Sequence, residues 1–490
     1  MTVPIQRCRS GVPWAVALLL GLGSCVGPRA RAGDSAARGD RPNLLLITAD
    51  DLNYDSVGVY GCTVAGITPN IDRLAGQGLR FTHGHVTIAV CQPSRSVMLT
   101  GRYPHRNGAR GFEPIRDDVP TLTEELRKAG YLNGILGKVG HLAPVRRFAW
   151  DVQLGPTELG HGRVPQRYRE EVRKFLQLAR RRDRPFFLMA NSHDPHRPFA
   201  GSAQERQVAK KYNRTYPVVD HAFRPEEIVV PGFLPAALPQ VRREIAEYFT
   251  SVRRCDQTVG AILEELRAAG MERNTFVVFM SDHGMALPFA KTNVYLASTK
   301  VPWIVRWPGK VAASAVDSRH FVSAIDLMAT FLEVAGVALP SEMDGRSFLP
   351  VLTGGAQAGR DRVLTVFYRT SGRREYPMRC LQGERFGYIR NAWSDGERVF
   401  RNESQQGRTF RAMQKAAKSD VAIAERVKLF QRRVPEELYD FVLDPNALRN
   451  LVDDPGYAEV LKSMRQQLAT ELSKTGDPEA SLFTVPGGYP

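Results

Sequence analysis

Four apolar runs in the sequence end in polar side chains that can bind a metal ion or transfer a proton. The runs, each with the polar residues that follow it, are 44–47 with Asp50 and Asp51, 132–136 with Lys138 and His141, 186–189 with His193 and His196, and 276–280 with Asp282 and His283. An Asp–Asp pair alone is common in surface loops and helix caps. Here a second acidic cluster, Asp282–His283, ends another run. The two clusters together favour a bound cation, because neighbouring carboxylates otherwise repel each other. Oxygen ligands indicate calcium or magnesium, and the His283 nitrogen leaves manganese or another transition ion open.

A second chemical signal lies in the segment 91–101, which begins at Cys91 and contains Pro93 and Arg95. Proline is suited to the first turn of a helix, so Cys91 is expected near a helix N-terminus. Backbone N–H groups at such a terminus favour anions, and Arg95 lies one turn further on. An ordinary buried cysteine before a helix is the alternative.

The elements that must position these residues alternate between strand and helix. Short, continuously apolar runs are typical of strands buried on both faces of a parallel sheet. Helical patterns lie between them, one over 121–129 with a Thr121–Glu124 capping box and one over about 240–269. The pattern predicts an α/β fold with a large, mostly parallel sheet flanked by helices. Ligands bind at the carboxyl ends of the strands in such sheets, so the four clusters should meet in one site.

The pattern changes after about residue 360. Residues 386–390 and 398–400 alternate like an antiparallel hairpin, and 411–428 is charged and helical. We therefore predict a catalytic domain over 40–360 and a smaller C-terminal α+β subdomain over 361–490. The tail after Thr475 is expected to lie loosely on the surface.

Residues 1–32 are typical of a secretory signal peptide, with Arg7 and Arg9 before an apolar stretch and small residues at the exit. We expect an exported protein, periplasmic or secreted, and a lipoprotein-like box leaves lipid anchoring at Cys25 open. No segment is typical of a transmembrane span. The four later cysteines are too few for a disulfide scaffold.

The chain of 490 residues carries a formal charge of +16, which falls to about +12 without the four arginines of the signal peptide. Such a balance favours polyanionic partners. The basic residues are scattered, and no helix-turn-helix, zinc-finger or RNA-binding signature occurs among them, so nucleic acid is not expected.

The segment 91–101 resembles the signature of the sulfatase family, within the alkaline-phosphatase-like superfamily. The matching positions are Cys91, Pro93, Ser94, Arg95, Leu99, Thr100 and Gly101. The resemblance implies that a formylglycine-generating or anaerobic sulfatase-maturing enzyme oxidises Cys91 to formylglycine (3-oxoalanine). It also implies one divalent metal, mostly calcium in this family, and the expected ligands are Asp50, Asp51, Cys91, Asp282 and His283.

The resemblance further implies a set of catalytic groups around the sulfate, which are Cys91, Arg95, Lys138, His141, His193 and Lys291. His193 is expected to protonate the leaving group, and Lys291 to contact both the sulfate and the bridging atom. His141 departs from the family pattern, since one extra residue separates it from Lys138. His196 and Arg197 are expected to bind substrate or to brace its loops.

Three stretches are similar to the heparan N-sulfatases, or sulfamidases, and these stretches are 184–197, 229–235 and 291–295. The similarity implies hydrolysis of sulfamates or sulfate esters of a sulfated glycan, as in glycosaminoglycan degradation, with N-sulfoglucosamine as the leading substrate. The alternatives are an O-sulfatase of another carbohydrate and a phosphonate or phosphate monoesterase on the same fold. A glycan-binding protein without turnover is the alternative from a different class.

Overall fold

The computed structural model describes residues 41–483 and contains a large sheet at its centre. In chain order, the strands are β1 Asn43–Asp50, β2 Leu79–Phe81, β3 Gly84–His85, β4 Leu132–Leu136, β5 Val152–Leu154, β6 Phe186–Pro195, β7 Thr275–Ser281, β8 Trp303–Arg306, β9 Ala315–Asp317, β10 Val322–Ser323, β11 Arg362–Arg369, β12 Glu375–Gly383, β13 Phe386–Asn391 and β14 Glu436–Asp440. The large sheet has eight strands in the order β5-β4-β6-β1-β7-β8-β2-β9.

The four apolar runs of the sequence form the centre of this sheet. They are β4, β6, β1 and β7, which lie side by side and pair in parallel. Their side chains are buried on both faces, which explains why the runs are continuously apolar. Only β8 among the sheet's strands pairs antiparallel to its neighbours, β7 and β2. The predicted α/β fold with a large, mostly parallel sheet is confirmed.

Helices cover both faces of the sheet through two apolar clusters. The helices are α1 Pro69–Gly76, α2 Cys91–Thr100, α3 Pro104–Asn107, α4 Leu122–Lys128, α5 Pro165–Arg181, α6 Ala203–Tyr212, α7 Pro239–Ala268, α8 Leu296–Thr299, α9 Leu327–Val334, α10 Leu349–Leu352, α11 Arg408–Ala416, α12 Val421–Arg432 and α13 Ala458–Thr475. The predicted helices at 121–129 and 240–269 correspond to α4 and α7. The Thr121–Glu124 capping box is present.

The C-terminal part contains a second, antiparallel sheet in the order β11-β12-β13-β14. The predicted hairpin between 386–390 and 398–400 is wrong. β13 pairs with β12 and β14 instead, while residues 398–400 are not a strand. The Asp395 carboxylate accepts a hydrogen bond from the backbone N–H of Arg398, and Phe400 N–H donates to Gln431 O, so the chain turns towards α12.

The charged stretch predicted to be helical over 411–428 forms two helices. α11 ends at Ala416, and α12 begins at Val421 with the Asp420 side chain accepting a hydrogen bond from Ile423 N–H. The described residues form one compact unit, and the division of the chain at residue 360 stays a prediction.

The predicted signal peptide over 1–32 and the anchoring option at Cys25 lie outside the described residues. Within 41–483, no helix combines the length and the apolar character that crossing a membrane requires. The four cysteines within these residues are all free thiols, and none of them forms a disulfide bond. They are Cys62, Cys91, Cys255 and Cys380.

The expectation of a loose tail after Thr475 is wrong for Asp477, which is buried. Arg379 of β12 donates two hydrogen bonds of 2.8 Å to the Asp477 carboxylate, and both side chains are almost inaccessible to water. Burial raises the pKa of Asp477, but Arg379 outweighs that effect and the pKa lies below its usual value. The ion pair therefore fixes the end of α13 to the small sheet.

Arg379→Met should lower the free energy of unfolding by about 3–5 kcal/mol, because Asp477 is left buried without its partner. Denaturant titration at neutral pH measures this loss. The pKa of Asp477 in the folded state is depressed. The difference in free energy of unfolding between the wild type and the variant should therefore shrink as pH falls below about 4. Arg116→Met is the control, since Arg116 pairs with Asp118 on the exposed surface. Equal stability of both variants would contradict the assigned role of the buried pair.

Candidate active site

Three buried carboxylates meet at the carboxyl ends of β1 and β7. Asp50 ends β1, Asp51 follows it with a left-handed φ of 69°, and Asp282 follows β7. The parallel pairing of Ala49 with Ser281 brings the two strand ends together, and Asp51 N–H donates to the Asp282 carboxylate at 3.2 Å. The positive φ turns the chain sharply after β1, so that both aspartates reach the same site.

Arg95 of α2 lies among these carboxylates and is completely buried. Its guanidinium donates to Asp282 Oδ2 at 2.8 Å, and its Nη2 lies 3.7 Å from Asp50 Oδ1. The other terminal nitrogen donates to Asn191 Oδ1 at 2.6 Å and to Thr48 Oγ1 at 3.0 Å. Arg95 thus joins α2 to three strands of the sheet, while its buried Nε has no hydrogen-bond partner among the described residues.

Cys91 is the first residue of α2, as the sequence predicts, and it is buried. Its Sγ lies 3.3 Å from His283 Nε2, and the His283 Nδ1 lies 3.4 Å from Asp51 Oδ1. Burial raises the pKa of the Cys91 thiol well above its usual value, and the three aspartates add to that effect. An unmodified Cys91 is therefore a neutral thiol, which is a poor nucleophile.

Lys138 and two histidines surround the other side of Asp50. Lys138 forms an ion pair with Asp50, and its left-handed φ of 56° turns the chain after β4. Ring nitrogens of His193 and His196, at the end of β6, lie within 4.8 Å of each other and of an Asp50 oxygen. Burial raises the pKa of Asp50, but Lys138, His196 and His193 outweigh it, so the pKa lies well below its usual value.

Burial lowers the pKa of all three histidines near Lys138. For His193 the pKa falls well below its usual value, with Lys138 and Arg163 contributing, and for His141 it falls to about 3. His141 contacts Phe112 edge-on, with ring centroids 6.1 Å apart. The extra residue before His141 thus leaves it close to the Lys138 side of the site.

Lys291 occupies the opposite side of the site and is buried. Its Nζ lies 2.9 Å from Asp51 Oδ1 and also forms an ion pair with Glu403. Glu403 belongs to the short 3-10 helix Glu403–Gln406 of the C-terminal part. Burial raises the pKa of Asp51 well above its usual value, because Lys291 compensates it only partly and the other carboxylates repel it. The Lys291 ammonium thus links Asp51 to the C-terminal part.

A cavity of about 340 Å³ opens next to Cys91. It is lined by the start of α2, by neighbouring loops and by the C-terminal part, and its lining residues are Val90, Cys91, Phe112, Lys291, Thr292, Thr370, Ser371, Gly372, Arg374, Arg401, Asn402, Glu403 and Gln406. Larger cavities of about 440, 500 and 620 Å³ lie elsewhere, and none of them is lined by a predicted site residue. The smaller cavity therefore is the candidate substrate pocket, since Cys91 forms part of its wall.

The donor atoms fit one divalent cation. Ligand atoms of Asp50, Cys91, Asp282 and His283 all lie within 4.8 Å of one another. Neither Asp50 oxygen accepts a hydrogen bond from the described residues, although both are buried. Buried carboxylates without sufficient compensation are costly, and a hard cation would offset that cost. The part of the chain that the structure describes thus contains a possible metal-binding cluster at the predicted position.

Arg197, expected to bind substrate or to brace a loop, lies apart from this cluster. Its guanidinium pairs with Glu244 of α7 at 3.1 Å and lies over the Phe199 ring. His196 lies closer, with Nε2 3.9 Å from Asp51 Oδ2. The other predicted site residues, apart from His141, pair with or lie close to one of the three carboxylates.

Sequence reasoning missed three side chains that hold the site together. Thr48 and Asn191 are polar residues within apolar strands, and this exception to the pattern is a signal that could have indicated them. Glu403 belongs to a segment without a recognisable motif, more than 100 residues after Lys291 in the sequence, so only the folded chain indicates it.

Comparison with protein families gives two matches. The Sulfatase family model matches residues 42–337, which is more than half of the chain. A second family model, described as N-sulphoglucosamine sulphohydrolase, C-terminal, matches residues 282–397. The first match contains every residue predicted to belong to the site, and the second contains Lys291 together with part of the small sheet.

Known proteins of similar sequence and structure agree with these matches. The chain is 32% identical to human N-sulphoglucosamine sulphohydrolase over 95% of this chain and 94% of that protein. It is 28% identical to an ulvan-active sulfatase of Formosa agariphila over 90% of this chain and 82% of the relative. One solved structure, of a protein bound to its substrate D-glucosamine-2-N,6-O-disulfate, superposes with a TM-score of 0.67 at 19% identity, covering 90% of this chain and 99% of that one.

The structural similarity shows the shared fold, and the sequence matches extend over nearly the whole chain. The chain belongs to the sulfatase family, whose members are hydrolases of sulfuric esters.

Proposed function

We propose that this sulfatase hydrolyses sulfamates or sulfate esters of sulfated glycans, with N-sulfoglucosamine as its preferred substrate. Catalysis would use a formylglycine formed from Cys91 and one divalent metal ion, calcium. The observation that carries the proposal is the position of Cys91, at the start of a buried helix, beside three carboxylates and on the wall of a cavity. The preference for N-sulfoglucosamine is supported by the 32% identity to the human sulphohydrolase along both chains.

The proposed conversion of Cys91 explains how a buried neutral thiol would become reactive. Oxidation of its Cβ to an aldehyde removes two electrons and the sulfur atom, with the oxidant supplied by the sulfatase-maturing enzyme. Addition of water to the aldehyde gives two geminal hydroxyl groups. A serine or an unmodified cysteine offers one nucleophilic group only, and its sulfate ester would have no internal route to release.

The two hydroxyl groups would act in sequence. One hydroxyl would lose its proton to a carboxylate of the site and form a bond from its oxygen to the sulfur of the substrate, while the bond from sulfur to the sugar nitrogen or oxygen breaks. The second hydroxyl then gives up its proton, its electron pair re-forms the carbonyl, and sulfate leaves with the first oxygen. The aldehyde is regenerated and takes up water for the next turnover.

The metal ligands would be Asp50, Asp51, Asp282 and His283, together with the modified side chain at position 91. The bound ion would supply positive charge against the sulfate and the attacking oxygen. Lys138 and Lys291 flank this position on opposite sides and would hold the charged oxygens of the substrate. Arg95, which already binds Asp50 and Asp282, would orient these carboxylates rather than contact sulfate through its terminal nitrogens.

His193 would donate the proton that the leaving atom takes up. Its pKa is depressed by burial and by the cations Lys138 and Arg163. A bound sulfate next to the ring would raise that pKa, because a nearby anion favours the imidazolium form. The substrate itself would thus promote the protonated state that its own cleavage requires. His196 and His141 also lie near Lys138 and would complete this side of the site.

Two related functions are consistent with the same groups. An O-sulfatase would use the same nucleophile on a carbohydrate ester, and a phosphonate or phosphate monoesterase would use the same metal and lysines on a phosphorus centre. An esterase would need the same activated nucleophile at position 91, so only the substrate that is turned over distinguishes the two reactions. We further propose export of the protein, as residues 1–32 suggest.

Co-production with a formylglycine-generating enzyme should give a protein that releases sulfate from N-sulfoglucosamine. Cys91→Ala should lower the rate more than about 10³-fold, because the nucleophile is lost. The measurement is free sulfate from N-sulfoglucosamine and from glucosamine 6-sulfate, with Cys62→Ala as the control. Release from the O-sulfated sugar alone would keep the mechanism and change the substrate. Phosphomonoester hydrolysis by a protein with intact Cys91 thiol, without sulfate release, would contradict the proposal.

Calcium should raise the thermal midpoint of the protein after treatment with a chelator. Binding to the folded state alone adds about 2.7 kcal/mol when the ion is at a hundred times its dissociation constant. Asp50→Asn should abolish most of this response, whereas Asp118→Asn, at an exposed position, should retain it. Differential scanning calorimetry with calcium, magnesium and manganese compares the three ions. A response that is the same in both variants would place the ion elsewhere.

A further inference from the structure

The Lys291 side of the pocket contains a carboxylate that the proposed mechanism does not use. Glu403 pairs with Lys291 and lines the cavity that Cys91 also lines. Its side chain retains 38% exposure, whereas Lys291 retains 1%. Glu403 therefore is accessible to a molecule in the cavity, and Lys291 lies between it and Asp51.

A carboxylate at this position is unfavourable for binding an anion. The site already contains three carboxylates beside the cations Arg95, Lys138 and Lys291, and Glu403 adds a fourth carboxylate. Burial raises the pKa of Glu403, but Lys291 outweighs this and lowers it to about 2. Glu403 is thus ionised at neutral pH. Its charge would weaken attraction for sulfate unless another part of the substrate benefits from it.

Glu403 is not required merely to fix the Lys291 loop. Its neighbour Asn402 donates a hydrogen bond of 2.6 Å to Thr292 Oγ1, next to Lys291 in the chain. Arg433 also binds this loop, through the Asn293 side chain. Asp51 also contacts Lys291, at 2.9 Å. The loop is therefore held by contacts on several sides, and the Glu403 charge is available for another purpose.

The chemistry of the leaving group provides such a purpose. When the S–N bond of a sulfamate breaks, the nitrogen keeps the bonding electron pair and takes one proton to become an amine. At neutral pH the amine takes a second proton and becomes an ammonium ion. A sulfate ester instead releases an uncharged hydroxyl after one proton. Only the amine leaves as a cation, which Lys138, Lys291 and Arg95 would repel.

We propose that Glu403 is a specificity-determining residue, whose carboxylate accepts hydrogen bonds from the leaving nitrogen and offsets its developing positive charge. It would thereby favour N-sulfated over O-sulfated sugars. This inference rests on the proposed sulfamidase function, and it assigns to the C-terminal part of the chain the choice between the two kinds of sulfate.

Glu403→Gln tests the inference, since it removes the charge and keeps the shape. The variant should lower kcat/KM for N-sulfoglucosamine by about 10- to 100-fold, the usual effect of losing a hydrogen bond to a charged group. The value for glucosamine 6-sulfate should change less than about threefold, so the ratio of the two falls. Glu403→Asp should restore part of the ratio. Glu397→Gln, on the exposed surface of the same segment, should leave both values unchanged.

Inhibition by products gives a second readout, which needs turnover of only one substrate. Glucosamine, a cation, should inhibit the wild type more strongly than glucose, and Glu403→Gln should remove that difference. An equal fall in kcat/KM for both sulfated sugars would indicate a role in placing Lys291 and would overturn the inference. Unchanged values of kcat/KM for both sugars would overturn it as well.

The wild-type protein separates this inference from the proposed function. If the wild type releases no sulfate from N-sulfoglucosamine, the proposed function fails before any variant is compared, and the role of Glu403 falls with it. If the wild type does release it and Glu403→Gln keeps the ratio of the two substrates and the inhibition pattern, only the role of Glu403 is wrong.

Discussion

The structure depends on the burial of three like charges at one edge of a parallel sheet. Asp50, Asp51 and Asp282 reach the same point because β1 and β7 are adjacent and parallel. Carboxylates this close and this buried would destabilise the fold unless cations accompany them. Arg95, Lys138 and Lys291 provide those cations, each from a different segment of the chain. The need to balance these buried carboxylates with cations therefore determines which segments of the chain must meet at the site.

The same requirement explains why α2 lies where it does. Arg95 cannot reach Asp282, Asn191 and Thr48 together unless its helix crosses the ends of the strands. Cys91, one turn earlier, is then placed beside His283 on the wall of the cavity. The ion pair of Lys291 with Glu403 extends the network to the C-terminal part. Charge balance, nucleophile position and substrate pocket are thus parts of one arrangement.

Much of this arrangement could be predicted from the sequence, because the central strands are apolar on both faces and end in chemically active residues. That pattern identified β1, β4, β6 and β7 and the polar clusters at their ends. The C-terminal sheet was harder to predict. Residues 398–400 resemble a strand in sequence, but their backbone bonds to a turn and to α12 and not to a partner strand. Glu403 could not be predicted, because its significance depends on a contact with a distant lysine. The break between α11 and α12 follows from the Asp420 cap, which composition alone does not indicate.

The proposed mechanism requires an aldehyde at position 91 of the active protein. Mass spectrometry of the tryptic peptide 81–95, from protein produced together with a maturing enzyme, tests it most directly. We expect the peptide of the active protein to have lost the thiol and to form a hydrazone with a hydrazide reagent. A peptide with an intact, alkylatable cysteine, in a preparation that turns over sulfated substrate at full rate, would contradict it.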